Sequence, residues 1–327
     1  MHRIEAIDFL RGYSIFTIVV MHMVWSSATG LMKTVLSFGG AGVHVFILVS
    51  GFGLYLSYLN NPLSYSDFLR KRFMKVYIPY FFIVVLFAAY YFFCLESYDV
   101  ITFLSHVFLF KMFSHTWDTS YVYSLWFLST IFQFYLFWPF IVKLAGRRKG
   151  LFLSIIISIC WATLVGLLEK QDNRAWSSFF LQYLWEFVLG MKLAEIYKKA
   201  PEKFAVPSYG ILLVGTIVGM GLSGFMGKTG GVLKLYNDFP SLLGYLSIAL
   251  IVYKMAIPVV NNYFLFTSRI SYEWYLVHGF TILVFSPFLL SSMPLLPALF
   301  SCFLLSNLFA YVYSLLLMKF GIKKNQR

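Results

Sequence analysis

Two ionisable side chains near the start of the chain, Arg11 and His22, stand eleven residues apart in an otherwise apolar stretch. At about 100° per residue, eleven steps make three helical turns plus roughly 20°, so both side chains leave one face of a helix about 16 Å apart along its axis. Asp8 precedes Arg11 by three residues and falls near the same stripe. A neutral imidazole takes up a proton near pH 7, which suits His22 to general-base chemistry. An ionisable group inside a bilayer is costly unless it faces a cavity or a partner, which makes His22 a functional candidate by default. The bland alternative is a neutral histidine bonded to a neighbouring helix.

A second set is Arg70, Lys71, Arg72 and Lys75, just before Tyr77, Pro79 and Tyr80. Guanidinium forks bind phosphate oxygens bidentately, but a basic cluster can equally hold topology or touch anionic lipid. Ser50 and Gly51 are small residues that let helices approach closely or line a cavity. Ser271, Tyr275 and His278 are spaced to share one helix face. His44, Glu186 and Glu273 read as hydrogen-bonded lining groups. Cys94, Cys160 and Cys302 show no metal-ligand or redox spacing, and no metal site is expected.

These residues must be carried by membrane helices. Hydrophobic residues make up 60% of the chain and charged residues 12%, with a mean hydropathy of +0.77, where a soluble domain has about 25% charged residues. A spanning helix needs about 20 apolar residues, and ten runs qualify: 9–26, 37–59, 77–95, 121–142, 150–168, 177–197, 207–225, 235–257, 270–290 and 295–318. The first has Asp8 and Arg11 at its mouth and no cleavage pattern, so it is expected to stay in the mature protein. The expected architecture is an all-α polytopic membrane bundle forming a single transmembrane domain over residues 1–327, with no soluble domain.

The net charge of +13 raises nucleic-acid binding, but the placement of the basic residues answers otherwise. Of 26 Lys and Arg, only Lys33, Lys111, Lys170, Arg174, Lys228 and Lys234 fall in odd-numbered connections. The rest, including Arg3, Lys324 and Arg327, fall at the termini or in even-numbered connections, which by the positive-inside rule predicts both termini in the cytoplasm. The longest outer segment, about 96–120, holds an apolar patch from Val100 to Phe113 too short to span. It reads as an interfacial or re-entrant helix, with His106, His115, Trp117 and Asp118 on the outer face.

Together the motifs resemble the acyltransferase family 3 membrane proteins. RIEAIDFLRGYSIFTIVVMH is similar to the family's opening, VFILVSGF to its second span, FLRKRFMKVYIPY to its basic loop running into a Pro-Tyr and LWFLSTIFQFYLFWP, with Trp126, to its fourth span. WEFVLGMKLAEI and SRISYEWYLVH resemble two later segments. The resemblance implies an enzyme moving an acyl group, most often acetyl, from cytoplasmic acyl-CoA to a cell-surface carbohydrate or lipid-linked glycan, in the plasma membrane. It implies no tightly bound cofactor and no nucleic-acid partner.

Carried over, His22 is the catalytic base with Arg11 and Asp8 beside it, and Arg70, Arg72 and Arg11 hold the donor. Ser50, Trp126, Ser271, Tyr275 and His278 become pocket residues, the last three of them candidate suppliers of oxyanion stabilisation along with other groups the sequence does not place. The chain departs from the pattern at Ile131 and Phe132, where many members carry two acidic residues, and at Gly279 and Phe280, where a Pro is usual. A transporter or flippase of a lipid-linked sugar also suits many spans with buried ionisable groups, and a succinyl donor would require a basic neighbour in the pocket.

Overall fold

In a computed structural model that describes residues 4–121 and 123–323, every described element is helical. The helices are α1 (Glu5–Val24), α2 (Gly30–Ser37), α3 (Gly42–Asn60), α4 (Tyr65–Arg72), α5 (Ile78–Cys94), α6 (Val100–Val107), α7 (His115–Thr119), α8 (Trp126–Leu136) and α9 (Trp138–Gly146). They continue with α10 (Gly150–Leu167), α11 (Arg174–Ser177), α12 (Leu184–Lys199), α13 (Tyr209–Thr229), α14 (Asp238–Lys254), α15 (Pro258–Arg269), α16 (Ser271–Ser292) and α17 (Leu295–Lys319). Of the residues named above, Arg3, Lys324 and Arg327, and Val122 in the fourth expected span, lie outside the described residues.

Local sequence explains several helix ends. Ser64 caps α4 by accepting from the Asp67 amide at 3.1 Å, and Asp99 caps the short α6 through the amides of Ile101 and Thr102. Both satisfy donors that a helix leaves without internal partners. The Val100 to Phe113 patch is accordingly a short helix followed by a 3-10 turn at Lys111–Phe113.

Among the described residues, seven helices are long and apolar enough to cross a membrane, and an eighth crossing is made if α8 and α9 form one span. The sequence led us to expect ten. α12 and α14 occupy the expected sixth and eighth positions with 16 and 17 residues. The fourth span was expected as one straight run over 121–142, yet it bends by 67° between α8 and α9. Pro139 stands in the first turn of α9, where its missing N–H costs nothing but where it cannot continue α8.

The basic segment is not a loop. α4 runs through a π-turn, Phe73–Tyr77, into α5, forming one helical element from Tyr65 to Cys94. Pro79 near the start of α5 removes one backbone donor, and the wider turn absorbs the break. The hydroxyl of Tyr272 donates to the Val76 carbonyl at 2.6 Å, and that of Tyr313 to the Pro79 carbonyl at 2.7 Å.

Hydrogen bonds gather the two described ends of the chain at one end of the bundle, here the terminal end. Tyr253 reaches Glu5, Lys254 reaches the Pro207 carbonyl at 2.8 Å, Lys198 bonds the Leu59 carbonyl, and Lys323 bonds the Arg269 carbonyl at 2.7 Å. The opposite, distal end carries α6, α7 and α11. Between them, α3 and α12 cross in close contact: a Cβ at Gly51 would stand 2.1 Å from the Phe187 carbonyl oxygen, and one at Gly190 would stand 1.9 Å from that of Leu48. Small residues thus serve the close approach expected of them.

Candidate functional site

Three cavities lie end to end. The terminal cavity, about 370 Å³, is lined by Arg11, Arg72, Lys75, Arg269 and Lys323, with Glu273 bound to Lys323 at 2.8 Å. Its walls share Arg11, Val76, Ser271 and Tyr272 with a central chamber of about 590 Å³. The chamber in turn shares Tyr123, Arg174 and Lys234 with a distal cavity of about 640 Å³.

Arg11 stands where the terminal cavity meets the chamber. Its guanidinium is 3.2 Å from the Asp8 carboxylate, so the i, i+3 pair read from the sequence forms. The two arginines of the basic cluster part company. Arg72 lines the terminal cavity and lies 5.6 Å over the Phe68 ring, whereas Arg70 is exposed and lines neither the terminal cavity nor the chamber. The cause is geometric: two residues along a helix turn about 200°, so their side chains leave opposite faces, while Arg72 and Lys75 share one. Arg269 and Lys323, not read as site residues from the sequence, supply the cations that Arg70 does not. Their positions follow from the α15–α16 junction and from the chain beyond α17 folding back, neither of which spacing reveals.

The apolar run 9–26 would put His22 well inside the first span, but it lies two residues before the C-terminal end of α1, because α1 stops at Val24 and the chain turns through Trp25, Ser26 and Ser27. It lines the chamber. Its Nδ1 is 3.0 Å from His278 Nε2, with the rings stacked at 5.1 Å and 17°. His278 Nδ1 faces two backbone carbonyls, Tyr275 at 2.7 Å and Trp274 at 3.1 Å. A carbonyl only accepts, so His278 carries its proton on Nδ1 and offers Nε2 as an acceptor. His22 must then donate from Nδ1, which leaves its Nε2 lone pair unprotonated and available as a base. The pairing joins residues on the first and the sixteenth helix.

Ser50, Trp126, Ser271 and Tyr275 all line the chamber as expected of pocket residues, whereas His278 does not and stands against His22 instead. Of the lining hydroxyls, two are already committed. Tyr275 donates to the Ser124 carbonyl at 2.7 Å and Ser271 to the Ser268 carbonyl at 3.0 Å. Ser124 lines the same chamber, is buried, and its Oγ has no hydrogen-bond partner. The first residues of α8, Trp126 to Leu128, also line the chamber, and that helix start has no side-chain cap. The positive end of its dipole therefore faces the cavity. The sequence signal for Ser124 is only its position before Leu-Trp-Phe-Leu.

At the distal end, Arg174 Nε is 3.7 Å from Asp118, and the guanidinium lies 4.5 Å over Tyr123 and 4.9 Å over Trp126. His115 and Asp118 line the distal cavity. His106 does not: it is buried against Tyr121, 3.1 Å from the Ser120 hydroxyl, and burial, with Lys111 adding to it, pushes its pKa down to about 2. Burial also pushes the Asp118 carboxyl up and the Lys111 amine down to about 7.

His44 bonds Glu186 at 2.8 Å and lies 3.8 Å from Asp238, hydrogen-bonded as expected, but neither His44 nor Glu186 lines one of the three cavities, whereas Asp238 lines the distal one. The cysteines are free, and among the described residues no group of three His, Cys, Asp or Glu could hold a metal ion. A family model described as an acyltransferase domain matches residues 4–315. No curated protein and no solved structure matches the chain.

Proposed function

The chain belongs to this acyltransferase family, and from that premise we propose that it moves an acyl group, acetyl in the first instance, from acyl-CoA to a saccharide hydroxyl. The observation that carries the reading is the line of three cavities with His22 in the middle one. Donor and acceptor enter from opposite ends and meet there. The donor's phosphates lie against Arg11, Arg72, Lys75, Arg269 and Lys323 in the terminal cavity, where guanidinium and ammonium groups match anionic oxygens. The thioester arm extends past Arg11 into the chamber. With the basic face of the bundle turned inward, the terminal end is cytoplasmic and the distal end outside, in the plasma membrane.

His22 Nε2 takes the proton from the acceptor hydroxyl as its oxygen attacks the thioester carbon. The carbonyl electron pair moves onto oxygen, where the buried, unpartnered Ser124 hydroxyl beside the chamber and the positive end of α8 offset the charge. When the intermediate collapses, the C–S bond breaks and the leaving sulfur takes the proton back from His22. Throughout, His278 holds the imidazole in its tautomer.

Positioned general bases contribute about 10² to 10⁴ in rate. His22→Ala is expected to cut acetyl transfer by at least about 10³-fold while acetyl-CoA binding to the purified protein persists. Transfer from acetyl-CoA at near wild-type rate by that variant, correctly inserted, sinks the mechanism. A wild-type protein that binds no acyl-CoA points instead to a transporter.

A further inference from the structure

The distal cavity differs from the chamber in what it offers a ligand. Among the described residues, Met112 and Leu235 are the aliphatic side chains in its wall, so it has little to give a hydrocarbon. Its wall residues also hold acceptors lacking donors: Asp118 Oδ1, Gln171 Oε1, Gln182 Oε1 and Asn237 Oδ1 are all buried and have no hydrogen-bond partner. The Gln182 amide cannot be turned to remove its orphan, because Nε2 already donates to the Leu235 carbonyl and to Asp238, each at 2.6 Å. Buried acceptors are costly to leave unmade, and they call for a ligand rich in donors.

Charge narrows the class. The wall carries three cations, Lys170, Arg174 and Lys234, against four acids, Asp118, Glu169, Asp172 and Asp238. Arg174 already faces Asp118 and Lys234 already faces Asp172, both at 3.7 Å. Of the three cations Lys170 alone stands outside these pairs, so an anionic ligand would meet one such cation against four acidic side chains.

We propose that the distal cavity is the acceptor site and that it takes an uncharged, polyhydroxylated ligand: a neutral saccharide, not a uronate, sulfated or phosphorylated one. This rests on the reading of the chain as an acyltransferase with a saccharide acceptor. Sugar hydroxyls donate to the four oxygens. Tyr123 and Tyr183 stand in the wall beside it, and one hydroxyl passes Tyr123 and Arg174, which border both spaces, toward His22.

The test is direct binding to the full chain in nanodiscs, by titration calorimetry. The probes are tetrasaccharides of glucose, galactose and N-acetylglucosamine, and a tetragalacturonate. At least one neutral tetrasaccharide is expected to bind at least tenfold tighter than the uronate. Gln182→Leu and, separately, Gln171→Leu are expected to raise its Kd by about tenfold, the equivalent of one lost hydrogen bond. Gln171→Leu carries the test alone if the Gln182 variant does not fold. Tighter uronate binding, no neutral binding, or neutral binding that both leucine variants leave unchanged overturns the inference. His22→Ala is run alongside: it abolishes transfer and keeps sugar binding. Its continued activity would condemn the catalytic reading while the sugar result stands separately.

Discussion

The two mouths of the passage are built on opposite electrostatic plans. At the terminal mouth, five cations crowd a cavity of about 370 Å³ in which, among the described residues, the one carboxylate, Glu273, is bound to Lys323. At the distal mouth, cations and acids alternate and pair, and the unsatisfied groups are acceptor oxygens. On the function proposed above, one end suits an anionic phosphate and the other an uncharged hydroxyl. That reading gives the passage a direction: two substrates of unlike charge would reach the same imidazole without competing for one entrance.

The contrast is sharpest where neither mouth is involved. Ser124→Ala is expected to lower kcat by about 10²-fold, the scale of one lost oxyanion donor, with KM for donor and acceptor each moving less than about threefold. A loss appearing in either KM would assign Ser124 to binding at one end.

The next effect belongs to the terminal mouth alone. Arg72→Ala and Arg269→Ala are each expected to raise KM for acetyl-CoA about tenfold, as for a lost charge-assisted hydrogen bond, and to leave sugar affinity unchanged. Arg70→Ala is expected to change it by less than about twofold. Equal effects at Arg70 and Arg72, measured by steady-state kinetics, would erase the distinction drawn between them.

The smallest effect belongs to the distal end. Lys111 has an ordinary value of 10.5 and is held at about 7, chiefly by burial and further by Arg174, with Asp118 opposing. Between those values the unfolded chain binds a proton that the folded one does not. Stability therefore rises with pH from about 7 toward 10.5 and is least below 7. Melting temperatures taken between pH 7 and 10 are expected to climb by a few degrees more in the wild type than in Lys111→Met. A slope that survives the substitution belongs to another group.

How much of this was legible beforehand depends on how far each relation reaches along the chain. The helical class, the apolar runs, the Asp8–Arg11 pair and the shared face of Ser271, Tyr275 and His278 are local, and spacing revealed them. The bend at Pro139 and the split between Arg70 and Arg72 were also written locally. The split was missed because a basic cluster before Pro79 reads as a loop, and a loop has no opposite faces; the bend was missed because the apolar run continues through Pro139. The bond between His22 and His278, the arrival of Arg269 and Lys323 at the terminal mouth, and the orphan state of Ser124 depend on tertiary packing that no periodicity encodes.

The partner that fixes the tautomer of His278 is the main chain of α16, at Trp274 and Tyr275. Where a carboxylate side chain does that work, a single codon change can delete it. Here every amino acid presents the same oxygen, so the relay's last link survives any replacement at position 274 that preserves the helix. Nor does it bring a formal negative charge into hydrocarbon. Only a local distortion of the helix, such as a proline inserted one turn downstream, could rewire it.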